Sequence, residues 1–493
     1  MPLLRLLLMQ SPSPNRMPRH TQPKSSLLSP IAKLFLACSL GFFVGAVTAR
    51  ATLKTKRSHT HLLAKRKAAP KAMAEVSLQA DRDHTVFSSK LSEAPASANC
   101  MNVPIREQGP FTVSYMHCNE QAFERDGEAV EITKNFKVPT ELARRFNFWR
   151  RIYSVWSKEH YVLHIAEYPE VILSVYDTSR LTAPPIAKDR QIKKFVKSER
   201  ESFKKLLLTM HQNRDHEERF TAAMQRIATN MRHITDRSKY LVAATNLRLQ
   251  RGQRDFIATG LAVAPKYLPS IEAEFERQGV PVEITRLAFV ESSFNLKAQS
   301  KVGASGVYQI MPATGHQYLR MLDGIDERND PIKASRAAAK LLRLNYDLTG
   351  AWPLAITAYN HGVGGIRRAT QAVNSRDIVE LIDRYDGNQF GFASKNFYAS
   401  FLGVLATLQQ ADRIFPEVEK VAPLAFTALR LTKPLSVKEI CHKYAASVPA
   451  VAQLNPDISP RMIRSGGKLP TGYIIKLPAG VNLAGRTLAS NAN

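Results

Sequence analysis

Between about residues 256 and 415, segments with the apolar spacing of amphipathic helices alternate with glycine-containing loops. Asp330-Pro331 begins one of these helices, which carries a row of small and apolar residues: Ala334, Ala337, Ala338, Leu341, Leu342 and Leu344. Residues 399–408 are apolar on most faces, which predicts a buried helix. Such alternation is typical of helices packed on helices, so the sequence predicts a mainly α fold class.

The chain has 493 residues and a formal net charge of +27 at pH 7. This length is sufficient for two or three domains, each with its own hydrophobic core. A basic excess of this size predicts an acidic or polyanionic partner, and nucleic acid, an anionic cell wall and membrane headgroups all meet that description. Charge alone does not choose among them.

Residues 1–51 have the pattern of an export signal. Basic residues precede an apolar run at residues 34–47, which is shorter than the roughly 20 residues that span a bilayer. Ala49 and Ala51 supply the small side chains of a signal-peptidase site. We therefore predict an exported protein with a signal peptide or signal anchor, and association with a membrane through this segment. Cleavage, retention as an anchor and lipidation at Cys38 all stay open.

Residues 52–125 are rich in Ala, Ser, Lys and Pro, which predicts a basic linker followed by a short structured element. In an oxidising compartment Cys100 and Cys118 are able to pair and staple that element, closing a loop whose length contributes about 3 kcal/mol. The four cysteines show no spacing typical of a metal site. We expect no metal and no other cofactor.

Two further units flank the helical region at residues 256–415. Residues 126–255 predict a helical support domain, with a short strand at residues 161–165. Its clearest helix covers about residues 217–236, where apolar residues alternate steps of four and three: Phe220, Met224, Ile227, Met231 and Ile234. Residues 424–480 predict a small unit in the order strand, helix, helix, strand, with Cys441 in its core and a tail at residues 481–493.

The most informative side chain is Glu291, near the end of a predicted helix. Ile284, Leu287 and Ala288 lie on the same helical face, so Glu291 continues an apolar row. A carboxyl held against apolar side chains has a raised pKa, which is the condition for a general acid near neutral pH. The plainer interpretation, in which Glu291 turns outward at the helix end, stays open from this helix alone.

Two later segments of the sequence favour Glu291 as a general acid over the outward-turned alternative. Residues 303–312 form a glycine-rich turn that leads into an amphipathic segment, and residues 358–364 carry an Ala-Tyr-Asn-His-Gly motif. Together with Glu291-Ser292, in this order and spacing, these segments resemble the lytic transglycosylases that have a goose-type lysozyme-like domain. The resemblance covers roughly residues 260–410 and implies a lysozyme-like (SLT) catalytic domain at residues 256–415.

The resemblance also implies roles for individual residues. Glu291 matches the catalytic glutamate, and Ser292 is implied as its hydrogen-bonding partner. The remaining implied substrate-binding residues lie in the glycine-rich turn and in the Ala-Tyr-Asn motif: Ser305, Gly306, Gln309, Tyr359 and Asn360. Gly306 is expected to let the backbone approach the glycan closely.

Two positions depart from the family pattern. Tyr308 stands where many relatives carry Met or Trp, so the floor of a sugar subsite is expected to differ. Phe397 stands where the family's later motif carries a tyrosine, which leaves two alternatives: Tyr398 takes over, or the hydroxyl is absent.

With one carboxylate, the implied reaction differs from ordinary glycoside hydrolysis, which uses two. Glu291 would protonate the glycosidic oxygen, the N-acetyl group of the sugar would stabilise the developing charge, and the C6 hydroxyl would close a 1,6-anhydro ring. Peptidoglycan glycan strands are then the expected partner. For an exported protein this argues against nucleic acid.

The unit at residues 424–480 resembles a divergent LysM module, which implies glycan binding, with a structural cap as the alternative. Two rival functions stay open at this point: a lysozyme-like hydrolase on the same fold, and a non-catalytic wall-binding scaffold. Oligomeric state is not predicted.

Overall fold

The computed structural model describes residues 100–118, 125, 127–419 and 421–483. The predicted export signal, most of the basic linker and most of the tail lie outside these residues. Helices predominate, in agreement with the predicted mainly α class. Across the described ranges, none of the helices combines the length and apolar character needed to cross a membrane.

The first structural unit contains a five-stranded antiparallel sheet in the order β1-β2-β6-β5-β7. A separate hairpin, β3–β4, follows β2 in the chain. The strands are Cys100–Gln108 (β1), Phe111–Cys118 (β2), Val130–Thr133 (β3), Phe136–Val138 (β4), His160–Ile165 (β5), Ile172–Asp177 (β6) and Leu247–Arg251 (β7). The short strand predicted at residues 161–165 is confirmed as part of β5.

The region predicted as a helical support domain, residues 126–255, combines helices with strands, because β5, β6 and β7 belong to the sheet. Its helices are Ala143–Ser154 (α1), Pro185–Gln212 (α2), Ala222–Asn230 (α3) and Lys239–Thr245 (α4). β6 is buried along nearly its whole length. A strand buried on both faces shows no apolar alternation, so periodicity alone does not separate it from a buried helix.

The helix predicted at residues 217–236 is shorter in the structure. Thr221 caps the start of α3 by accepting a hydrogen bond from the Met224 backbone, and the helix ends at Asn230. The predicted stripe is nevertheless core, since Phe220, Met224, Ile227, Met231 and Ile234 are all buried in one cluster with the sheet.

Helix α1 belongs to the same core as the helices at residues 256–415 and not to the sheet cluster. It packs closely against Phe392–Gln409 (α13), and both helices contribute to the main hydrophobic core. The Trp149 indole Nε1 donates to Asn396 Oδ1 at 3.0 Å within this interface. The boundary predicted between residues 255 and 256 therefore does not separate two cores.

The region at residues 256–415 is a set of helices joined by short loops, with a two-stranded β8–β9 ribbon at Met321–Leu322 and Ile325–Asp326. Asp330 caps α9 by accepting from the backbone of Ile332 at 3.0 Å, as its position in the sequence predicts. The buried helix predicted at residues 399–408 lies within α13. The other helices are Arg254–Leu261 (α5), Leu268–Arg277 (α6), Leu287–Ser292 (α7), Pro312–Tyr318 (α8), Pro331–Thr349 (α9), Trp352–His361 (α10), Val363–Val373 (α11), Ile378–Arg384 (α12) and Ala411–Ile414 (α14).

The C-terminal unit contains the predicted order of strand, helix, helix and strand, with one additional helix and an additional pair of two-residue strands. Strand β10 pairs antiparallel with β13, and Cys441 is buried in the small core. The elements are Phe426–Arg430 (β10), Leu435–Ser436 (β11), Val437–Lys443 (α15), Val448–Leu454 (α16), Pro460–Ser465 (α17), Lys468–Leu469 (β12) and Ile474–Pro478 (β13).

This C-terminal unit is joined to the helices at residues 256–415 by backbone hydrogen bonds and buried ion pairs. Ile325 of β9 is part of its core, and the Asp326 backbone donates to the Asp457 carbonyl at 2.8 Å. Lys333 forms a 2.6 Å ion pair with Asp457, and Lys476 pairs with Asp330. The unit is therefore anchored on the loop before α9, and is not an independently tethered module.

Candidate active site

Helix α7 places Glu291 at the edge of the main hydrophobic core. Ile284, Leu287 and Ala288, the predicted apolar row, are completely buried. The helix ends directly after Ser292, because Ser293 adopts a left-handed backbone conformation with φ of 52°. Glu291 itself keeps partial solvent exposure.

The surroundings of the Glu291 carboxyl disfavour its charged form. Burial among protein atoms raises its pKa from 4.5 to about 8. Across the described part of the chain, no hydrogen bond or ion pair holds this carboxyl. Glu291 is consequently protonated at neutral pH and available as a proton donor, which is the property of a general acid.

The three sequence motifs meet around the glycine-rich turn. The Ser292 hydroxyl donates to the Val307 carbonyl at 2.9 Å, which joins α7 to the turn. The Tyr359 hydroxyl donates to the Tyr308 carbonyl at 2.8 Å, which joins the turn to α10. Burial, and then the nearby Glu291 charge, raise the pKa of Tyr359. The motifs that are separate in sequence thus form one site.

Inside the turn, the predicted residues bind other parts of the protein. Gln309 donates its amide to the Gly306 carbonyl at 2.8 Å, and the Ser305 hydroxyl donates to Asn329 Oδ1 at 2.7 Å. Gly306 has a φ of +76°, and a Cβ built there would lie 1.8 Å from the Arg328 carbonyl oxygen. The observed reason for glycine at this position is therefore the close approach of the protein's own backbone.

Asn360 differs from these residues, whose side chains form hydrogen bonds within the protein. It is partly exposed at the end of α10, and no hydrogen bond to its side chain is found in the described chain. Among the predicted site residues with side chains, Asn360 and Glu291 are the two that have no side-chain hydrogen bond within the described chain. The other four each donate to a backbone or side-chain oxygen: Ser292, Ser305, Gln309 and Tyr359.

The two positions that depart from the family pattern are both inside the protein. Tyr308 is fully buried and donates to the Thr285 carbonyl at 3.1 Å, so its ring belongs to the core and not to a subsite floor. Phe397 and Tyr398 are also buried. The Tyr398 ring stacks on Phe401 with centroids 6.4 Å apart.

Sequence analysis missed one residue of this site, Tyr153 of α1. Its buried hydroxyl lies 2.6 Å from Ser400 Oγ, and the Glu291 charge contributes to the raised pKa of this phenol, after burial. The sequence carries no signal for this position, because α1 lies far from the three motifs and its apolar spacing is that of an ordinary core helix.

Residues 269–382 match the family described as Transglycosylase SLT domain. The match includes Glu291, the glycine-rich turn and the Tyr359-Asn360 motif, and it ends before α13. Membrane-bound lytic murein transglycosylase D of Escherichia coli is 34% identical over 115 residues, which are 23% of this chain and 25% of that protein. A putative tributyltin chloride resistance protein of an Alteromonas strain is 33% identical over 117 residues, covering 23% of this chain and 56% of that protein.

Two solved structures show weaker similarity. An inactive mutant of lytic transglycosylase Slt from Pseudomonas aeruginosa has 19% identity and a TM-score of 0.26, covering 39% of this chain and 30% of that one. The 70 kDa soluble lytic transglycosylase from Escherichia coli has 18% identity and a TM-score of 0.25, covering 48% of each chain. This chain spans about a quarter of the length of the Escherichia coli transglycosylase D that it matches.

Proposed function

We propose that this protein is a peptidoglycan lytic transglycosylase that cleaves the β-1,4 bond between N-acetylmuramic acid and N-acetylglucosamine and leaves 1,6-anhydromuramic ends. The observation that carries the proposal is the protonated, unpaired carboxyl of Glu291 at the point where three motifs meet. The match of residues 269–382 to the Transglycosylase SLT domain supports it.

In the first step, Glu291 acts as the acid. It transfers its proton to the glycosidic oxygen, the bond from that oxygen to C1 of N-acetylmuramic acid breaks, and oxocarbenium-like charge develops on the sugar. The acetamido oxygen of the same sugar stabilises that charge. In the second step, the Glu291 carboxylate takes the proton from the C6 hydroxyl while O6 bonds to C1. The ring closes without water, and Glu291 is protonated again.

We infer that substrate contacts divide into direct and supporting ones. Asn360 has an amide available to bind the sugar near Glu291. Ser292 and Tyr359 support the site through their bonds to the glycine-rich turn. Ser305, Gly306 and Gln309 lie in that turn, where Gln309 donates to Gly306 and Ser305 donates to Asn329. We also propose that the C-terminal unit is LysM-like and binds glycan, and its anchoring on the loop before α9 would hold a bound strand in a fixed relation to the cleft.

We propose export to the cell envelope, with membrane association through the N-terminal segment. The net charge of +27 suits a wall that carries peptide carboxylates. The same location makes a disulfide between Cys100 and Cys118 favourable, and their α-carbons are directly paired across β1 and β2.

Mass analysis of muropeptides released from purified peptidoglycan tests the function. A transglycosylase releases products one water lighter than those of a hydrolase. Products with free reducing ends would instead establish a hydrolase on the same fold. Wall binding without any release would favour the scaffold.

A further inference from the structure

The C-terminal unit holds the β8–β9 ribbon through backbone hydrogen bonds. The Ser459 amide donates to the Gly324 carbonyl at 2.8 Å. The Asp326 amide donates to the Asp457 carbonyl at 2.8 Å. Between these two bonds, Ile325 is buried in the core of the C-terminal unit. The C-terminal unit therefore fixes the backbone of the ribbon at Asp326.

The Asp326 side chain fixes the direction of Arg328, two residues later in the chain. Its Oδ1 accepts from Arg328 Nε at 3.0 Å, and its Oδ2 accepts from Arg328 Nη2 at 2.8 Å. A guanidinium held by a carboxylate at two points has a defined orientation as well as a defined distance. Arg328 is also buried, with 8% of its surface exposed. The direction of the remaining nitrogen, Nη1, is therefore set by the Asp326 carboxylate.

This Arg328 nitrogen closes the base of the glycine-rich turn. It donates to the Gly303 carbonyl at 2.7 Å and to the Ile310 carbonyl at 3.1 Å. The two carbonyls stand at opposite ends of the turn, so a single nitrogen joins them. The Arg328 carbonyl oxygen also lies directly against Gly306, where it leaves no room for a side chain. Arg328 thus contacts the turn at its start, in its middle and at its end.

Between its ends, the turn is bonded to the helices of the candidate active site. The Val307 carbonyl accepts from Ser292, the residue that follows Glu291 on α7. The Tyr308 carbonyl accepts from Tyr359 of α10. A continuous series of hydrogen bonds and one ion pair therefore joins the C-terminal unit to the residue next to Glu291.

We propose that Arg328, oriented by Asp326, is a positioning residue through which the C-terminal unit holds the glycine-rich turn in its active geometry. The consequence for cleavage rests on the proposed function, whereas the hold on the turn does not. Loss of either attachment lets the turn move relative to Glu291, which lowers the fraction of molecules that have a complete site. The C-terminal unit then contributes to the rate of cleavage as well as to the proposed glycan binding.

Amide hydrogen exchange in the full chain tests the attachment of the turn to Arg328. Asp326→Asn keeps the size of the side chain but removes the charge that pairs with Arg328. Peptides that cover residues 303–310 should then exchange about 10-fold faster, the effect of weakening one hydrogen bond to a charged group. The matched control is Asp347→Asn, because Asp347 pairs with Arg343 at the surface of α9. The control should leave the exchange of this segment unchanged.

A second pair of variants tests the attachment of the ribbon to the C-terminal unit. Ile458 and Ile440 are both buried in the core of this unit, and Ile458 also forms a β-bridge with Ile325 of the ribbon. Ile458→Val should speed the exchange of residues 303–310 by about 3-fold, in line with the usual cost of removing one buried methyl group. Ile440→Val, the matched control, should speed exchange within residues 426–478 and leave the turn unchanged.

The rate of the proposed reaction is an independent readout. Asp326→Asn should lower kcat by about 10- to 100-fold at temperatures where the variant stays folded, because small displacements within a site have effects of this size. Arg328→Lys keeps the charge but cannot bond the carboxylate and both carbonyls together, so it should lose as much. The double variant should lose little more than either single variant, since both residues act through one connection. A merely structural role would lower Tm and leave the kcat of the folded protein unchanged.

Each contrary outcome overturns a different part of the proposal. Equal exchange of residues 303–310 in Asp326→Asn and Asp347→Asn would overturn the role of Arg328, and Arg328→Lys decides this point if Asp326→Asn does not fold. An effect of Asp326→Asn without any effect of Ile458→Val would overturn the link to the C-terminal unit. A wild type that releases no anhydromuropeptides, with the expected differences in exchange, would overturn only the proposed function.

Discussion

The raised pKa of Glu291 means that its replacement by glutamine should stabilise the protein. In the unfolded chain this carboxyl ionises near its ordinary value of 4.5, whereas burial in the fold raises its pKa to about 8. Between these values the folded protein retains a proton that the unfolded chain has released. Wild-type stability therefore falls as pH rises through this window. Glutamine is neutral and similar in shape, so Glu291→Gln removes this loss.

The size of the effect follows from the two pKa values. At about 1.4 kcal/mol per pH unit, the interval from 4.5 to about 8 sets an upper bound of about 5 kcal/mol. Glu291 is partly exposed, and solvent screening reduces the effect. We expect the free energy of unfolding of Glu291→Gln to exceed that of wild type by about 2–3 kcal/mol at high pH, and by under about 1 kcal/mol near pH 4.

Urea unfolding of both proteins, at a pH below 4.5 and at a pH above 8, measures this difference. Glu276→Gln controls for the loss of one negative charge, because Glu276 is exposed on α6. The control should follow the wild-type pH dependence. A Glu291→Gln variant that is no more stable than wild type at high pH, or equally more stable at every pH, would refute the reasoning.

Three other predictions concern stability. Gly306→Ala should lower the free energy of unfolding by more than about 2 kcal/mol, because its Cβ would lie 1.8 Å from the Arg328 carbonyl oxygen. Gly466 has a φ of +72° but open space around it, so Gly466→Ala should lower this free energy by only about 1 kcal/mol. Urea unfolding measures both. Lys476→Met leaves the Asp330 carboxylate buried without its cation and should lower the free energy of unfolding by about 3–5 kcal/mol, measured in the same way. A loss below about 1 kcal/mol would contradict the buried ion pair. A disulfide across β1 and β2 predicts that reduction of the exported protein adds two hydrogens by mass and lowers its Tm, whereas an unchanged mass would exclude the bond.

Local features of the fold could be predicted from the sequence. The Glu291 helix, the Asp330 cap and the buried helix α13 are each encoded by spacing within a few turns, and the structure contains all three. The sheet could not be predicted from the sequence, because it depends on pairing between strands that are far apart in the chain. Strand β5 bonds to β7, whose residues lie more than 80 positions further along the chain. No local pattern specifies such a partner.

In the candidate site too, local features could be predicted from the sequence, whereas features that depend on long-range packing could not. Glu291 was found because it continues an apolar row and stands together with two later motifs in the order and spacing of the lytic transglycosylases. The structure gives this carboxyl the raised pKa that the row predicts. Tyr153 was missed because only the packing of α1 on α13 brings its hydroxyl to Ser400, where burial and then the Glu291 charge raise its pKa. The role of Gly306 was assigned to substrate approach, since the Arg328 carbonyl that excludes a side chain there is not visible in the sequence.

Digestion of peptidoglycan in heavy-oxygen water tests the central claim most directly, because it asks whether water or the C6 hydroxyl attacks the sugar. The wild-type protein should release anhydromuropeptides that contain no heavy oxygen, and Glu291→Gln should bind the wall but release nothing. Heavy oxygen at new reducing ends, or continued cleavage by Glu291→Gln, would contradict a transglycosylase that works through this single carboxyl.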